Sequence, residues 1–358
     1  MPEQNREFYF GANTSNGFVS LYDHIAPCEK LKKVFVIKGG PGTGKSTIMR
    51  KIGDEFSNRY EIEYGRCSSD PDSLDAVYIK DLGVVVLDGT PPHPFEPKFP
   101  GALESIVNLY PFWNEKSLEN LRSEIERAWG KCSACHEKAC KYLSVAGIIS
   151  NTNVSLVEEA FLNEKAEKFV ERIVRGKIKS TQTKGNETVR FLSAITPKGV
   201  NILNVSGYDD VYIIEDEYKK VSSYILYKIR RELIEKECDF ITCYSVISPF
   251  QRIEHIFVPK LKLAFLSSDS LQKVLYSGEY TVIRAKRFLD ESIMKANKQK
   301  LKFNNAIKKE MINAALKMMR EAKLNHDELE KLYVKNVDFN NMEELTKDLI
   351  NKIKQFEK

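Results

Sequence analysis

The clearest hydrophobic pattern lies near the start of the chain, where a short apolar run precedes a glycine-rich loop. Residues 34–37 are consecutive apolar residues, the pattern of a short buried strand. After the loop, apolar residues recur at helical spacing: Ile48, Met49, Ile52 and Phe56. This part of the chain is therefore predicted to run strand, loop, helix.

Two further apolar segments predict neighbouring strands of the same sheet. Residues 62–66 have the pattern of a strand, and residues 82–87 (LGVVVL) that of a buried parallel strand that ends in Asp88. Residues 115–149 and the C-terminal tail keep apolar spacings of three and four, which predicts helices. We therefore expect an α/β fold built on a parallel sheet with flanking helices.

The same pattern recurs in the second half of the chain. Three pairs of segments match in the same order: 34–56 with 211–233, 10–21 with 192–203, and 77–89 with 256–268. Such a repeat predicts a second α/β half of the same kind. We place the two domains at residues 1–180 and 186–358, with a basic linker at 172–184 and a helical tail at the end of the second.

Length and composition agree with two globular domains. The chain has 358 residues, 42% of them hydrophobic and 29% charged, which is enough to bury a sizeable core. A net charge of +5, set against 55 basic and 50 acidic residues, attracts neither nucleic acid nor an anionic membrane. The run at 295–309 holds six lysines and no acid. We interpret it as a solvated helix face, because interleaved aromatic residues are few.

The sequence also predicts a cytoplasmic protein. The longest purely aliphatic stretch, residues 84–87, is far shorter than the roughly 20 residues that cross a bilayer, and the first residues are too polar for a signal peptide. The seven cysteines are scattered, which favours reduced thiols. The densest group, CSACH at 132–136, lies along the stripe of a predicted helix, so packing is favoured over a metal or haem site.

The glycine-rich loop carries the strongest chemical signal. Residues 39–46 fit G-x-x-x-x-G-K-[ST] between the predicted strand and helix. Glycines let the backbone wrap a phosphate without Cβ clashes, and the N–H groups at the helix N-terminus attract the anion. The residues predicted to cradle the phosphates are Gly39, Gly40, Pro41, Gly42, Thr43, Gly44, Lys45, Ser46 and Thr47.

Three of the side chains have predicted roles with ATP and Mg²⁺. Lys45 is expected to reach the β and γ phosphates as a point charge. The Ser46 hydroxyl and the Asp88 carboxylate are expected to hold Mg²⁺, since oxygen ligands suit that ion. Lys45 and Asp88 are thus the first two candidate catalytic residues.

The group that would orient an attacking water is harder to identify. Many ATPases place a Glu directly after the strand-end Asp, but here that residue is Gly89. Asp70 and Asp72 follow a strand at the carboxyl edge of the sheet and are the nearest candidates. Turn and helix-capping roles explain both equally well. His93 is a candidate sensor of the γ phosphate or an ordinary loop histidine.

The second loop has lost this chemistry. Gly39, Gly44, Lys45 and Asp88 correspond to Asp216, Val221, Ser222 and Ser267. A phosphate in the second loop would face the acidic pair at 216–217. We therefore expect one active and one eroded nucleotide site.

The chain resembles a bacterial family of P-loop ATPases without an assigned substrate, whose members look like tandem P-loop halves. Three segments carry the resemblance: GGPGTGKST at 39–47, CSSDPDSLD at 67–75 and LDGTPPHPFEPKFPG at 87–101. The resemblance spans nearly the whole chain and implies a P-loop NTPase fold with ATP binding. Both halves usually carry a phosphate loop in that family, so residues 216–223 are a departure from it.

The leading hypothesis is an Mg²⁺-dependent ATP-binding protein that hydrolyses ATP. A small-molecule or nucleotide kinase is the alternative, since LDGTP at 87–91 is similar to the LDG-x-P of nucleoside monophosphate kinases. Those kinases continue with Arg, whereas this chain has Pro92. A nucleotide-gated interaction protein with negligible turnover is the third hypothesis, and Gly89 supports it. A nucleotide and a protein are the expected partners, and a membrane or a nucleic acid is not.

Overall fold

The computed structural model describes residues 6–91, 94–179 and 185–357. The strands of the first half are β1 (Arg6–Tyr9), β2 (Gly11–Thr14), β3 (Gly17–Ser20), β4 (Lys33–Lys38), β5 (Ile62–Arg66), β6 (Leu74–Ile79), β7 (Val84–Asp88) and β8 (Glu104–Asn108). Its helices are α1 (Lys45–Phe56), α2 (Glu115–Asn120), α3 (Arg122–Glu158) and α4 (Asn163–Lys177). Residues 172–177 of the predicted linker are therefore helical, and residues 180–184 lie outside the described part.

The second half repeats this series of elements. Its strands are β9 (Glu187–Arg190), β10 (Ser193–Thr196), β11 (Gly199–Ile202), β12 (Asp210–Glu215), β13 (Phe240–Tyr244), β14 (Ile253–Val258), β15 (Leu263–Ser268) and β16 (Thr281–Arg284). Its helices are α5 (Lys220–Glu235), α6 (Glu291–Val334) and α7 (Phe339–Lys354). The C-terminal helical tail is present, as predicted.

The two six-stranded sheets have the same strand order. The first runs β1-β5-β6-β7-β4-β8 and the second, read from its other end, β9-β13-β14-β15-β12-β16. The small β2–β3 and β10–β11 hairpins also match, because Thr14 Oγ1 donates to the Gly17 carbonyl at 2.7 Å and Thr196 Oγ1 to the Gly199 carbonyl at 2.9 Å. This is the arrangement that a repeated sequence predicts.

The fold is α/β, but the sheets are mixed rather than parallel. Strand β6 runs antiparallel to both β5 and β7, and β14 runs antiparallel to β13 and β15. The other pairings in the two large sheets are parallel. A short turn joins β6 to β7, so two consecutive strands pair without a crossover helix. The expectation of a purely parallel sheet was wrong for this reason.

Three hydrophobic layers hold the molecule together. The largest lies between the two sheets and includes residues of both, among them Phe10, Leu87, Phe191 and Leu266. A second packs α4 and α5 against one sheet, and a third packs α1 and α7 against the other. The halves therefore share their main core.

The halves also exchange their last helices. Helix α4 belongs to the first half of the sequence, but it packs on α5 in the second hydrophobic layer. Helix α7 belongs to the second half, but its Met342, Leu349 and Ile353 pack with α1. The long helices α3 and α6 connect these two layers and lie antiparallel. Asn153 bonds to Asn305 at one end of the pair, and the Asn114 N–H donates to the Asn336 carbonyl at the other. Each three-dimensional unit thus contains residues from both sides of the 180/186 division.

A buried ion pair also links the halves. Arg190 on β9 donates to the Glu63 carboxylate on β5, and both residues are 1% exposed. The guanidinium further donates to the carbonyls of His24 and Ile25 and lies 4.5 Å from the centroid of the Phe10 ring. Burial raises the pKa of Glu63, but Arg190 and Lys80 lower it by more. The pair is therefore charged in the folded protein.

None of the helices within the described ranges is long and apolar enough to cross a bilayer.

Candidate functional site

The glycine-rich loop lies where the sequence predicts it, between β4 and α1. Gly42 and Gly44 have φ values of 67° and 79°, in the left-handed region that favours glycine. No side chain caps the N-terminus of α1, which begins after Gly44. The first N–H groups of a helix have no partner within the helix, so those of α1 point into the loop and can bind an anion.

Lys45 and Asp88 come together at the mouth of this loop. The Lys45 ammonium lies 3.5 Å from Asp88 Oδ2 and donates to the Gly39 and Gly40 carbonyls at 3.2 and 2.7 Å. The parallel pairing of β4 with β7, which places Ile37 opposite Asp88, explains the proximity. Both side chains are mostly buried, at 12% and 14% exposure. The predicted lysine and acid thus form one charged pair beside the helix N-terminus.

Ser46 joins the loop to the segment that follows β5. Its Oγ accepts a hydrogen bond of 2.9 Å from the Leu74 N–H, at the start of β6. A hydroxyl retains a further lone pair and its own proton after such a bond. The Ser46 hydroxyl and the Asp88 carboxylate are oxygen donors of the kind that Mg²⁺ prefers, so the residues present fit the ion and the phosphate chain of a nucleotide.

Asp70 and Asp72 lie in different surroundings. Asp72 is 77% exposed and bonds to Lys198 at 2.6 Å, and this contact lowers its pKa. Asp70 is 26% exposed and lies 3.2 Å from the Lys323 ammonium of α6. Its Oδ2 also accepts from Ser73 Oγ at 3.1 Å. Among the contacts of the described residues, Asp70 therefore bonds to α6, whereas Asp72 bonds to Lys198.

Residues of the second half form the outer wall of the loop. A Cβ on Gly42 would lie 2.7 Å from Val334 Cγ2 and 3.3 Å from the Glu330 carbonyl, and one on Gly40 would lie 3.0 Å from Tyr333 Cε1. The end of α6 is thus in contact with the backbone of the phosphate loop. Glycine is required here for close approach as well as for backbone angles.

Gly89 has a steric reason to be glycine. A Cβ at this position would lie 2.4 Å from Val36 Cγ1, closer than real Cβ contacts come. The glutamate that many ATPases carry after the strand-end acid does not fit here without displacing β4. Any group that orients water must therefore come from another part of the site.

Several residues of the site were missed by the sequence analysis. Lys38 donates to the Gly89 and Phe95 carbonyls at 2.9 and 3.0 Å and so fixes the segment after Asp88. Thr90 donates from Oγ1 to the Gly39 carbonyl at 2.9 Å, and its N–H donates to Asp88 Oδ1 at 2.8 Å. Lys38 could have been found from the sequence, because it is the polar residue that ends the apolar run of β4. No sequence signal points to Lys323, because it is far from the glycine-rich loop along the chain.

The second loop contains its own anion. Asp216 is 2% exposed, and its Oδ2 accepts from the Ser222 N–H at 2.8 Å and from Ser222 Oγ at 3.0 Å. Ser222 aligns with Lys45 in the sequence repeat, but it is the third residue of α5, whereas Lys45 is the first of α1. The Asp216 carboxylate therefore uses an N–H group of the kind that a phosphate would need.

A buried lysine completes the second loop. Lys219 has φ 64° and ψ 6° and directly precedes α5, as Gly44 with φ 79° and ψ 10° directly precedes α1. Its ammonium donates to Ser267 Oγ at 3.0 Å and pairs with Asp269 at 3.2 Å. Burial raises the pKa of Asp269, but Lys219 and other partners lower it by more. Lys219 and Asp269 thus form a buried, charged pair beside the second loop.

The remaining predicted residues are placed as follows. His93 lies outside the described residues. In the CSACH segment of α3, Cys132 is buried and Cys135 half-buried, and burial raises the pKa of both thiols, that of Cys132 to about 11. The run at 295–309 lies on α6 with its lysines exposed except for Lys308, which is buried.

Comparisons with known proteins add nothing to this picture: no family model, no curated protein and no solved structure matches the chain. The resemblance to tandem P-loop ATPases stays a prediction. What the structure defines is an α/β protein with two mixed sheets.

Proposed function

We propose that the chain is an Mg²⁺-dependent ATP-binding protein that hydrolyses ATP at the first loop only. The pairing of Lys45 with Asp88 at 3.5 Å, beside an uncapped helix N-terminus, carries the proposal. An ammonium, a carboxylate and a set of N–H groups are what a nucleoside triphosphate with its metal needs. We also propose that the protein is cytoplasmic.

The residues of the first loop would each contact the phosphates, the metal or another residue of the site. The N–H groups of the loop bind phosphate oxygens, and Lys45 exchanges the Gly39 and Gly40 carbonyls for the β and γ phosphates. Ser46 and Asp88 would hold Mg²⁺, which when bound neutralises charge on the phosphates. Thr90 fixes the Asp88 carboxylate through its N–H.

The kinase hypothesis is supported by one further observation. A pocket of about 290 Å³ between the halves is lined by Arg66, Pro71, Asp72 and Lys198 among others. It lies at the carboxyl end of β5, on the same edge of the sheet as the phosphate loop. The lysine and arginine there already pair with Asp72 and Glu7, which favours a polar acceptor that can exchange with these pairs.

Calorimetry with Mg²⁺ and a non-hydrolysable ATP analogue tests the proposal. We expect one nucleotide per chain in the wild type and loss of most binding in Lys45→Ala. Lys51→Ala is the matched control, because Lys51 lies on the same helix, is 51% exposed and only approaches Glu343 at 4.0 Å. Two equivalent sites, or unchanged affinity in Lys45→Ala, would contradict the assignment. Turnover with and without candidate acceptors then separates hydrolysis, phosphoryl transfer and gating without turnover.

A further inference from the structure

The first loop lacks a group that orients water in the usual position. Gly89 follows Asp88, and the close approach of Val36 leaves no room for a side chain there. A phosphoryl transfer to water is slow unless a polar group holds the nucleophile in line. The candidate groups are therefore those that line the loop from the other side.

Helix α6 places a charged cluster on that side. Its last turns contact Gly40 and Gly42, and one to three turns earlier it presents Lys323, His326 and Asp327. The Lys323 ammonium lies 2.6 Å from Asp327 Oδ1 and 3.2 Å from Asp70 Oδ2. One lysine thus connects the second half of the chain to the segment after β5.

The contacts of Asp70 fall on a single oxygen. Ser73 Oγ and the Lys323 ammonium both bond to Oδ2, and neither uses Oδ1. Ser73 precedes Leu74, and the Leu74 N–H donates to Ser46 Oγ near the N-terminus of α1. Ser73 and Leu74 thus connect Asp70 to that N-terminus. The bonds from Ser73 and Lys323 hold the carboxylate through Oδ2, and within the described residues neither of them involves Oδ1.

We propose that Asp70 is the water-orienting carboxylate of the site and that Lys323, supplied by α6, is its positioning residue. The inference rests on the proposed ATP hydrolysis and deepens it. The water oxygen bonds to the γ phosphorus, and the bond from that phosphorus to the β–γ bridging oxygen breaks. The bond's electron pair leaves on ADP, and the water proton passes to Asp70 and then to the released phosphate. The second half of the chain thereby completes a site whose phosphate loop lies in the first.

The surroundings of Lys323 suit this role. Burial lowers its pKa, but hydrogen bonds to Asp327 and Asp70 raise it by more, so the ammonium stays charged. Asp327 is one helical turn away and keeps the lysine directed towards Asp70. His326, in the same cluster, has a lowered pKa because it is partly buried, and it is neutral near pH 7. Lys323 is therefore the positive group of this cluster.

Steady-state kinetics and binding in the full chain test the role. Lys323→Ala should lower kcat by about 10- to 100-fold while the Kd for the Mg²⁺ complex of the ATP analogue changes by less than about threefold. Lys323→Arg should restore most of kcat, because it keeps the positive charge. Asp70→Asn should lower kcat at least as much as Lys323→Ala. The double variant should be no slower than Asp70→Asn alone, since the two residues act as a unit.

Controls separate this role from folding and from the wider proposal. Lys331→Ala removes an exposed lysine of the same helix that pairs with the exposed Glu328 at 2.7 Å, and it should leave both kcat and Kd unchanged. Unchanged kcat in Lys323→Ala would overturn the inference and leave the proposed function standing. A loss of affinity in proportion to kcat would also overturn it, by assigning Lys323 to phosphate binding. Unchanged binding and turnover in Lys45→Ala would overturn the proposed function and the inference together.

Discussion

The Asp216 carboxylate accepts a hydrogen bond of 2.8 Å from the Ser222 N–H in the first turn of α5. The carboxylate is attached to the chain, so this helix N-terminus has an anion of its own. We interpret the second loop as a helix N-terminus whose anion is supplied by the chain itself.

Removing that carboxylate should open the N-terminus of α5 to another anion. Asp216→Ala leaves the Ser222 N–H and hydroxyl without their anionic acceptor, which should cost about 1–3 kcal/mol of stability. Inorganic phosphate should then stabilise the variant more than the wild type, because an anion that binds only the folded state raises its stability. Urea unfolding with and without phosphate measures this. Asp210→Ala, at an exposed pair with Lys177, is the control, and equal phosphate dependence in all three proteins would contradict the interpretation.

Substitutions of Asp88 and Asp72 should differ sharply in their effect on nucleotide binding. Asp88→Asn removes the charge 3.5 Å from Lys45 and should weaken Mg²⁺-dependent nucleotide binding by about tenfold or more. Asp72→Asn removes an exposed charge paired with Lys198 and should change neither binding nor turnover. Titration of the ATP analogue at several Mg²⁺ concentrations compares them. A metal dependence of Asp88→Asn equal to that of the wild type would remove Asp88 from the site.

The local pattern of the chain was sufficient to predict the strand, loop and helix of the first site. The apolar run of β4, the glycines and the helical spacing of α1 are contiguous, so no tertiary information is needed. The approach of Asp88 to Lys45 was also predictable, because it follows from two parallel strands that both end at the same edge. The repeat was visible because apolar core positions persist where chemical residues change.

Tertiary packing decided the features that the sequence did not show. Strand β6 is buried along its whole length, so it lacks the alternation that marks an antiparallel strand with a solvated face. The exchange of α4 and α7 depends on which sheet each amphipathic face meets, and either face would suit either sheet. Lys323 is part of the candidate site for the same reason: α6 brings it there from a distant part of the sequence.

A glutamate placed directly after Asp88 should not raise ATP turnover. In Gly89→Glu the new Cβ would lie 2.4 Å from Val36 Cγ1, and the strain should cost about 1–3 kcal/mol without raising turnover. Gly130→Ala is an instructive control, since that helical glycine faces open space and alanine should stabilise the protein by up to about 1 kcal/mol. Thermal unfolding and ATP turnover of both variants check these expectations. A more active Gly89→Glu protein would show that Asp70 is not the water-orienting group.

The ion pair between the halves should be a large stability determinant. Arg190→Ala leaves the Glu63 carboxylate buried at 1% exposure without its main counter-charge, which should cost about 3–5 kcal/mol. Arg284→Ala breaks an exposed pair with Glu215 at 3.9 Å and should cost less than about 1 kcal/mol. Urea unfolding of the full chain measures both. Similar losses in the two variants would show that the halves are held together by their shared apolar core alone.

Stability should also fall in mild acid because of one buried histidine. His255 on β14 is 1% exposed, and neither ring nitrogen has a hydrogen-bond partner among the described residues. Burial and the nearby Lys219 ammonium lower its pKa to about 3. An unfolded histidine takes up a proton at about pH 6.5. The stability that comes from the neutral ring is therefore fully present above that pH and is lost progressively as the pH falls towards 3.

Between pH 7.5 and pH 5.5 this proton uptake by the unfolded chain should cost the protein about 1.4 kcal/mol. Replacing the ring removes the linkage, so His255→Gln should lack that part of the pH dependence even if it is less stable at pH 7.5. Urea unfolding at the two pH values gives the difference for each protein. His24→Gln serves as the reference, because His24 lies in a different part of the fold. If His255→Gln retained the wild-type slope, another titrating group would have to account for the loss of stability in acid.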